Sequence, residues 1–136
     1  MVTKHCIKNF CKCGCYGWMM ECLWTGCHSA LSSNKKELTC KTSLWMFPIY
    51  GLAAFIEPAY HIVGKRNVLI RGSFYTACIF LTEYSTGSFL KKKGCCPWDY
   101  SEAKSNIDGI VRLDYAPVWF LVGLLYERSL VHPKRK

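Results

Sequence analysis

The sequence predicts an all-α fold: a polytopic membrane protein with four transmembrane helices joined by short basic connectors. Three observations lead there. First, the 18 Lys and Arg residues fall into bands, and the windows between the bands, 13–34, 42–64, 72–90 and 113–127, contain none. These windows are 22, 23, 19 and 15 residues long, and a helix of about 20 residues crosses a hydrocarbon core of about 30 Å. Second, a soluble amphipathic helix interleaves Lys with apolar residues turn by turn, whereas this chain separates them into blocks. Third, aromatic residues flank the blocks, as they do at membrane–water interfaces. The 136 residues leave room for one domain, and 51% hydrophobic content excludes a disordered chain. The mean hydropathy of +0.06 and net charge of +9 follow from charged connectors averaged with moderately apolar spans. The competing reading is a basic soluble helical domain with buried acids. Carboxylates at Glu21, Glu57, Glu83 and Asp114 interrupt the windows, and Glu127 ends the last. The longest uncharged run, 42–56, is 15 residues, short of the roughly 18 of a clear span. The blockwise charge pattern favours the bundle, with its acids facing inward.

Residues 1–12 read as a basic arm ahead of the single domain, 13–131. The arm is like the first region of a signal peptide, but Glu21 and the lack of a small-x-small site point to an uncleaved first helix over about 13–30. A polar connector leads to the second helix, about 42–63, where Pro48 and Pro58 predict a kink or break. The turn 64–67 precedes the third helix, about 68–90. The longest connector, 91–112, reads KKKGCCPWDYSEAKSNIDGIVR. The fourth helix covers about 110–131, and 132–136 is a basic tail. An even number of spans puts both termini on one side. The basic residues there number 10 against 8 opposite, which favours cytoplasmic termini in a multi-pass integral membrane protein.

Each helix carries an acid beside small or hydroxyl residues. Gly17, Glu21 and Thr25 lie at i, i+4 and i+8, on one helical face. Glu83, Thr86 and Gly87 repeat the pattern, as do Trp119, Gly123 and Glu127, and Tyr50, Ala54 and Glu57. A carboxylate away from water must be paired, protonated or solvated in a cavity. One reading is a polar cavity lined by Glu21, Glu57 and Glu83 with Thr25 and Thr86. The other is interhelical hydrogen bonding that only fixes the bundle. Near the helix ends, Asp114 and Glu127 are expected to be structural. Trp98, Asp99 and Tyr100 read as an interfacial anchor with a turn, or as a cap over the cavity mouth. Asn106 and Gly109 suit a helix start or a turn.

The ten cysteines do not predict a metal site. Cys11, Cys13 and Cys15 are one residue apart, closer than the usual ligand spacing, and no H-x₃₋₅-H pair accompanies them. Cys6, Cys11, Cys13, Cys95 and Cys96 border expected spans and are candidates for S-acylation. Cys22, Cys27 and Cys78 read as small apolar residues inside the bundle. No phosphate-binding loop, nucleophile elbow, metalloprotease or dinucleotide motif occurs. No enzyme activity, cofactor or nucleic-acid partner is therefore expected.

The stretches GWMMECLWT (17–25), FPIYG (47–51), LTEYSTGSFL (81–90), CPWDYS (96–101), NIDGIVRLDYA (106–116) and VWFLVGLLYE (118–127) together resemble the CmpB-like Putative ABC-transporter type IV permease family. TSLWMFPIYG and CCPWDYS resemble its animal members, the transmembrane protein 229 group, more than its bacterial ones. The resemblance implies a small four-helix membrane protein with a permease-like role. It also implies recurring positions at Gly17, Trp18, Glu21, Pro48, Tyr50, Gly51, Glu83, Thr86, Gly87, Trp98, Asp99, Tyr100, Asn106, Gly109 and Trp119. The chain departs from the family in its Lys-rich arm, its cysteines at 11–15 and Pro58. The expected partners are the lipid bilayer and either a second copy or a separate subunit. The alternatives are a non-transporting membrane adaptor or regulator and, behind it, the soluble basic helical domain.

Overall fold

The computed structural model describes residues 2–33 and 36–132. Lys35 and all of the basic tail except His132 lie outside the described residues. The chain is divided into two compact units, Met1–Leu52 and Ala53–Lys136.

The first unit is built on α1 (Val2–Ser33) and the short α2 (Met46–Gly51). Small residues on α1 admit aromatic rings from α2. A Cβ on Gly17 would lie 2.1 Å from the Tyr50 ring, and one on Gly14 would lie 2.8 Å from the Phe47 ring. Trp18 stacks obliquely on Phe47 with ring centres 4.9 Å apart. Its indole N–H donates to the Ser43 carbonyl at 3.1 Å, which ties the connector to α1. Phe10 closes over Gly51 in the same way.

The second unit contains α3 (Ile56–Val63), α4 (Val68–Lys92), a hairpin of β1 (Asn106–Ile107) and β2 (Val111–Arg112), and α5 (Ala116–Val131). The Pro58 nitrogen has no hydrogen to donate to the preceding turn, and a 3₁₀ turn, Leu52–Phe55, separates α2 from α3. Asn67 caps α4, its side chain accepting from the Ile70 N–H at 2.9 Å. Helices α4 and α5 pack closely because Gly72 faces the Phe120 ring and Gly123 faces Tyr75. The antiparallel hairpin pairs Asn106 with Arg112 and Ile107 with Val111. Its turn needs Gly109, at φ +68°. The core of this unit includes Tyr75, Leu90, Ile110, Val111, Tyr126 and Leu130.

No helix among the described residues is both long and apolar enough to cross a membrane. That overturns the expected four-span bundle and the integral multi-pass placement, and leaves the sidedness of the termini without a basis. The physical reason is that a window without Lys or Arg need not be apolar. Helix α1 has 32 residues, but 13–30 includes Glu21, His28, three glycines and two tryptophans. Helix α4 has 25 residues with Arg71 and Glu83 inside it. Helix α5 is the most apolar of the long helices but has only 16 residues. Residues 106–115, partly expected as helix, are spent on the hairpin and a 3₁₀ turn, Leu113–Tyr115. The segment 42–63 is broken between α2 and α3.

Candidate functional site

Two carboxylates lie along the α4–α5 packing, and their surroundings differ. Glu127 on α5 is 5% exposed. Arg71 grips it in a two-pronged ion pair, Nε to Oε2 at 3.0 Å and Nη2 to Oε1 at 3.1 Å. The Tyr75 hydroxyl donates to Oε2 at 2.6 Å. Burial, then the bond to Glu127, pushes the Tyr75 hydroxyl well above the ordinary phenol range, so it stays a donor. Arg71 and Tyr75 are four residues apart on α4, so one face of the helix presents both donors.

Glu83 lies three turns further along α4, and Trp119 two turns before Glu127 on α5. Glu83 Oε2 and Trp119 Nε1 are buried, and neither has a hydrogen-bond partner among the described residues. Burial pushes the Glu83 carboxyl up to about 7 from an ordinary 4.5. The nearby indole N–H offsets part of this without completing a hydrogen bond. An acceptor and a donor are thus held side by side in a poorly solvated place. Tyr115 packs edge-on to Trp119 at 6.5 Å.

A clasp borders this pair. The Trp98 indole N–H donates to the Ile110 carbonyl at 2.9 Å, and the ring covers Gly87 of α4. The Tyr100 N–H donates to the Gly109 carbonyl at 2.8 Å. Asn106 Oδ1 accepts from the Gly109 N–H at 2.8 Å. Asp99 accepts from the Ser101 N–H at 3.0 Å and from its hydroxyl. Those bonds hold the Asp99 carboxyl below its usual range. Lys91 Nζ donates to the Asp108 carbonyl at 2.8 Å. The Arg112 guanidinium lies 4.3 Å from the Tyr115 ring centre and pairs with Asp114.

The other expected site residues are placed as follows. Glu21 belongs to the first unit, where Thr42 donates to Oε2 at 2.7 Å. Burial raises its carboxyl above the usual range, and the Thr42 bond lowers it in part. Thr25 donates to the Glu21 carbonyl at 2.9 Å and accepts from the Lys41 N–H at 3.0 Å. Glu57 opens α3, half-buried. Thr86 donates to the Thr82 carbonyl at 2.7 Å, one turn back on α4. Gly17, Trp18, Pro48, Tyr50 and Gly51 form the α1–α2 packing, whereas Gly87, Trp98, Asp99, Tyr100, Asn106 and Gly109 build or border the clasp. Cys13 is fully buried, which removes it as an acylation site, and Cys27 is exposed instead of packed. The Arg71–Tyr75–Glu127 network was not read from the sequence. Its one signal is the i, i+4 spacing of Arg71 and Tyr75. Among the described residues, no three His, Cys, Asp or Glu side chains gather into a metal-binding group.

Residues 8–135 match the model of the family described as Putative ABC-transporter type IV, and the chain belongs to that family. No solved structure matches it.

Proposed function

We propose that this chain is a non-enzymatic, permease-like component of a transport system that handles a small polar solute at Glu83 and Trp119. One observation carries the reading: a buried carboxylate oxygen and a buried indole N–H lie near each other, and neither has a hydrogen-bond partner among the described residues. Leaving such groups unmet costs about 1–3 kcal/mol each, and a solute with a neighbouring donor and acceptor satisfies both. A carboxyl titrating at about 7 also changes charge within the physiological range. Below that pH it favours a neutral solute, and above it a cationic one. Family membership supports a role in transport. Any ATPase that drives it is another chain.

The lipid bilayer and a second copy or separate subunit are the partners we assign. Exposed apolar side chains on α1, such as Leu23 at 67% and Leu31 at 87%, form surface that a partner covers. Nucleic acid is not among them, because the basic residues do not form an aromatic-interleaved face.

The test measures uptake of labelled urea, glycerol and choline by membrane vesicles from cells making the chain. Wild type is expected to show a pH step near 7, which Glu83→Gln removes, while Trp119→Phe lowers uptake and keeps the step. Equal uptake with the same pH profile in folded Glu83→Gln overturns the reading. The internal bonds at Glu21 and Glu127 favour a second reading, a non-transporting adaptor whose acids only hold helices. It is supported where no solute moves and Glu83→Gln changes stability alone.

A further inference from the structure

We propose that Cys22 and Cys40 form a reversible disulfide that fastens the 36–45 connector to α1. The connector is already clipped to this face of the helix at two neighbouring points. Thr25 Oγ1 accepts from the Lys41 N–H at 3.0 Å and reaches the Lys41 carbonyl at 3.3 Å. Thr42 donates to Glu21 at 2.7 Å. Cys40 precedes these two contacts, and Cys22 lies beside Glu21. Residues 22, 25 and 26 share one helical face. The Cys40 Cβ lies 3.7 Å from where a Cβ on Gly26 would sit, and the Leu38 carbonyl is 3.2 Å from the same point. Gly26 therefore lets the connector come close to the helix, one turn from Cys22. Interaction with the nearby Cys40 thiol, then burial, raises the Cys22 thiol above its usual range. A disulfide needs Cβ atoms about 3.5–4.5 Å apart. The two contacts fix the connector against the helical turn that carries Cys22.

Both sulfurs are reachable. Cys40 is exposed and Cys22 half-buried. With a small disulfide such as oxidised glutathione as the oxidant, the exposed Cys40 thiolate attacks one of its sulfurs and releases one glutathione thiolate. The Cys22 thiolate then attacks the Cys40 sulfur and releases the second. The protein loses two electrons and two thiol protons, and the oxidant takes up both as two glutathione molecules. A thiol reductant reverses the exchange.

Peptide mapping of the full-length chain in a glutathione redox buffer decides the matter. Trypsin separates residues 13–35, which hold Cys22, from residues 37–41, which hold Cys40. The expected product is a reduction-sensitive link between these peptides. Its yield is expected to drop about tenfold in Cys22→Ser and stay within about twofold in Cys27→Ser, because Cys22 lies on the helical face that the connector crosses between Gly26 and Glu21. Unfolding in guanidinium before oxidation should scatter the pairing among the cysteines of the first peptide. Persistence of the link in Cys22→Ser overturns the proposal. So does a Cys40 that becomes glutathionylated without cross-linking, or pairing unchanged by denaturant.

Discussion

Glu127 and Glu83 sit on the same pair of helices and are both held away from water, yet they have opposite surroundings. Glu127 meets three donated hydrogen bonds, from Arg71 and Tyr75. Glu83 keeps an oxygen with no partner among the described residues, and burial pushes its carboxyl up to about 7. The first is a charge made tolerable by partners, and it serves the fold. The second is destabilised in its charged form, which favours its proton. Burial alone does not mark a functional carboxylate. What separates the two is whether the fold has already satisfied it.

The largest expected effect breaks the satisfied end. Arg71→Leu leaves the Glu127 carboxylate with Tyr75 alone and is expected to destabilise the folded chain by about 3 kcal/mol. Urea unfolding measures it, and a loss below about 1 kcal/mol would mean that Glu127 is not held as a buried charge.

The next effect has the opposite sign and sits at the unsatisfied end. Glu83 binds its proton more tightly in the folded chain, at about 7, than in the unfolded chain, at about 4.5. Its contribution to stability is therefore complete below pH 4.5 and is lost as pH rises to 7. Each pH unit in that window removes up to about 1.4 kcal/mol. Glu83→Gln should flatten this slope and stabilise the chain at pH 8 by roughly 2 kcal/mol, with little change at pH 4. Thermal unfolding across pH checks it, and an unchanged slope in Glu83→Gln assigns the titration elsewhere.

The helix contact that both carboxylates depend on can be tested apart from charge. Gly123→Ala places a Cβ 2.7 Å from the Tyr75 Cβ. The helices must separate, at about 1–3 kcal/mol, and the change should disturb the Glu127 network before the Glu83 pair. Loss of the Tyr75–Glu127 bond, followed by the Tyr75 ultraviolet spectrum, reports the order. The smallest effect lies in the clasp. Trp98→Phe keeps an aromatic ring over Gly87 but loses the bond to Ile110, and about 1 kcal/mol is expected in denaturant unfolding.

Much of the local architecture could be read from residue patterns. Trp119, Gly123 and Glu127 share a face because 3.6 residues make a turn, and Gly123 does bring α5 against α4. Asn106 and Gly109 make a turn because Asn accepts locally and Gly adopts positive φ. The expected cavity of Glu21, Glu57 and Glu83 was less legible. Helical spacing shows which residues share a face of one helix, but not which helices meet. Glu21 finds its partner in Thr42, 21 residues away, and no periodicity encodes that pairing. The hairpin at 106–112 fell within the expected connector, 91–112, and its second strand overlapped the start of the expected fourth helix, because Ile110 and Val111 suit either element.

The sequence by itself determined the family, the predominance of helix, the small residues that admit aromatic rings and the few acids set among apolar neighbours. Each is a property of composition or of spacing along one element. The structure decided where the Lys- and Arg-free windows break into separate elements, and among the described residues no helix is long and apolar enough to cross a membrane. It also decided which acid is satisfied. Glu127 was expected to be structural from its place near a helix end, but only the placement of Arg71 and Tyr75 across the α4–α5 contact shows what satisfies it, whereas Glu83 Oε2 and Trp119 Nε1 meet no partner among the described residues.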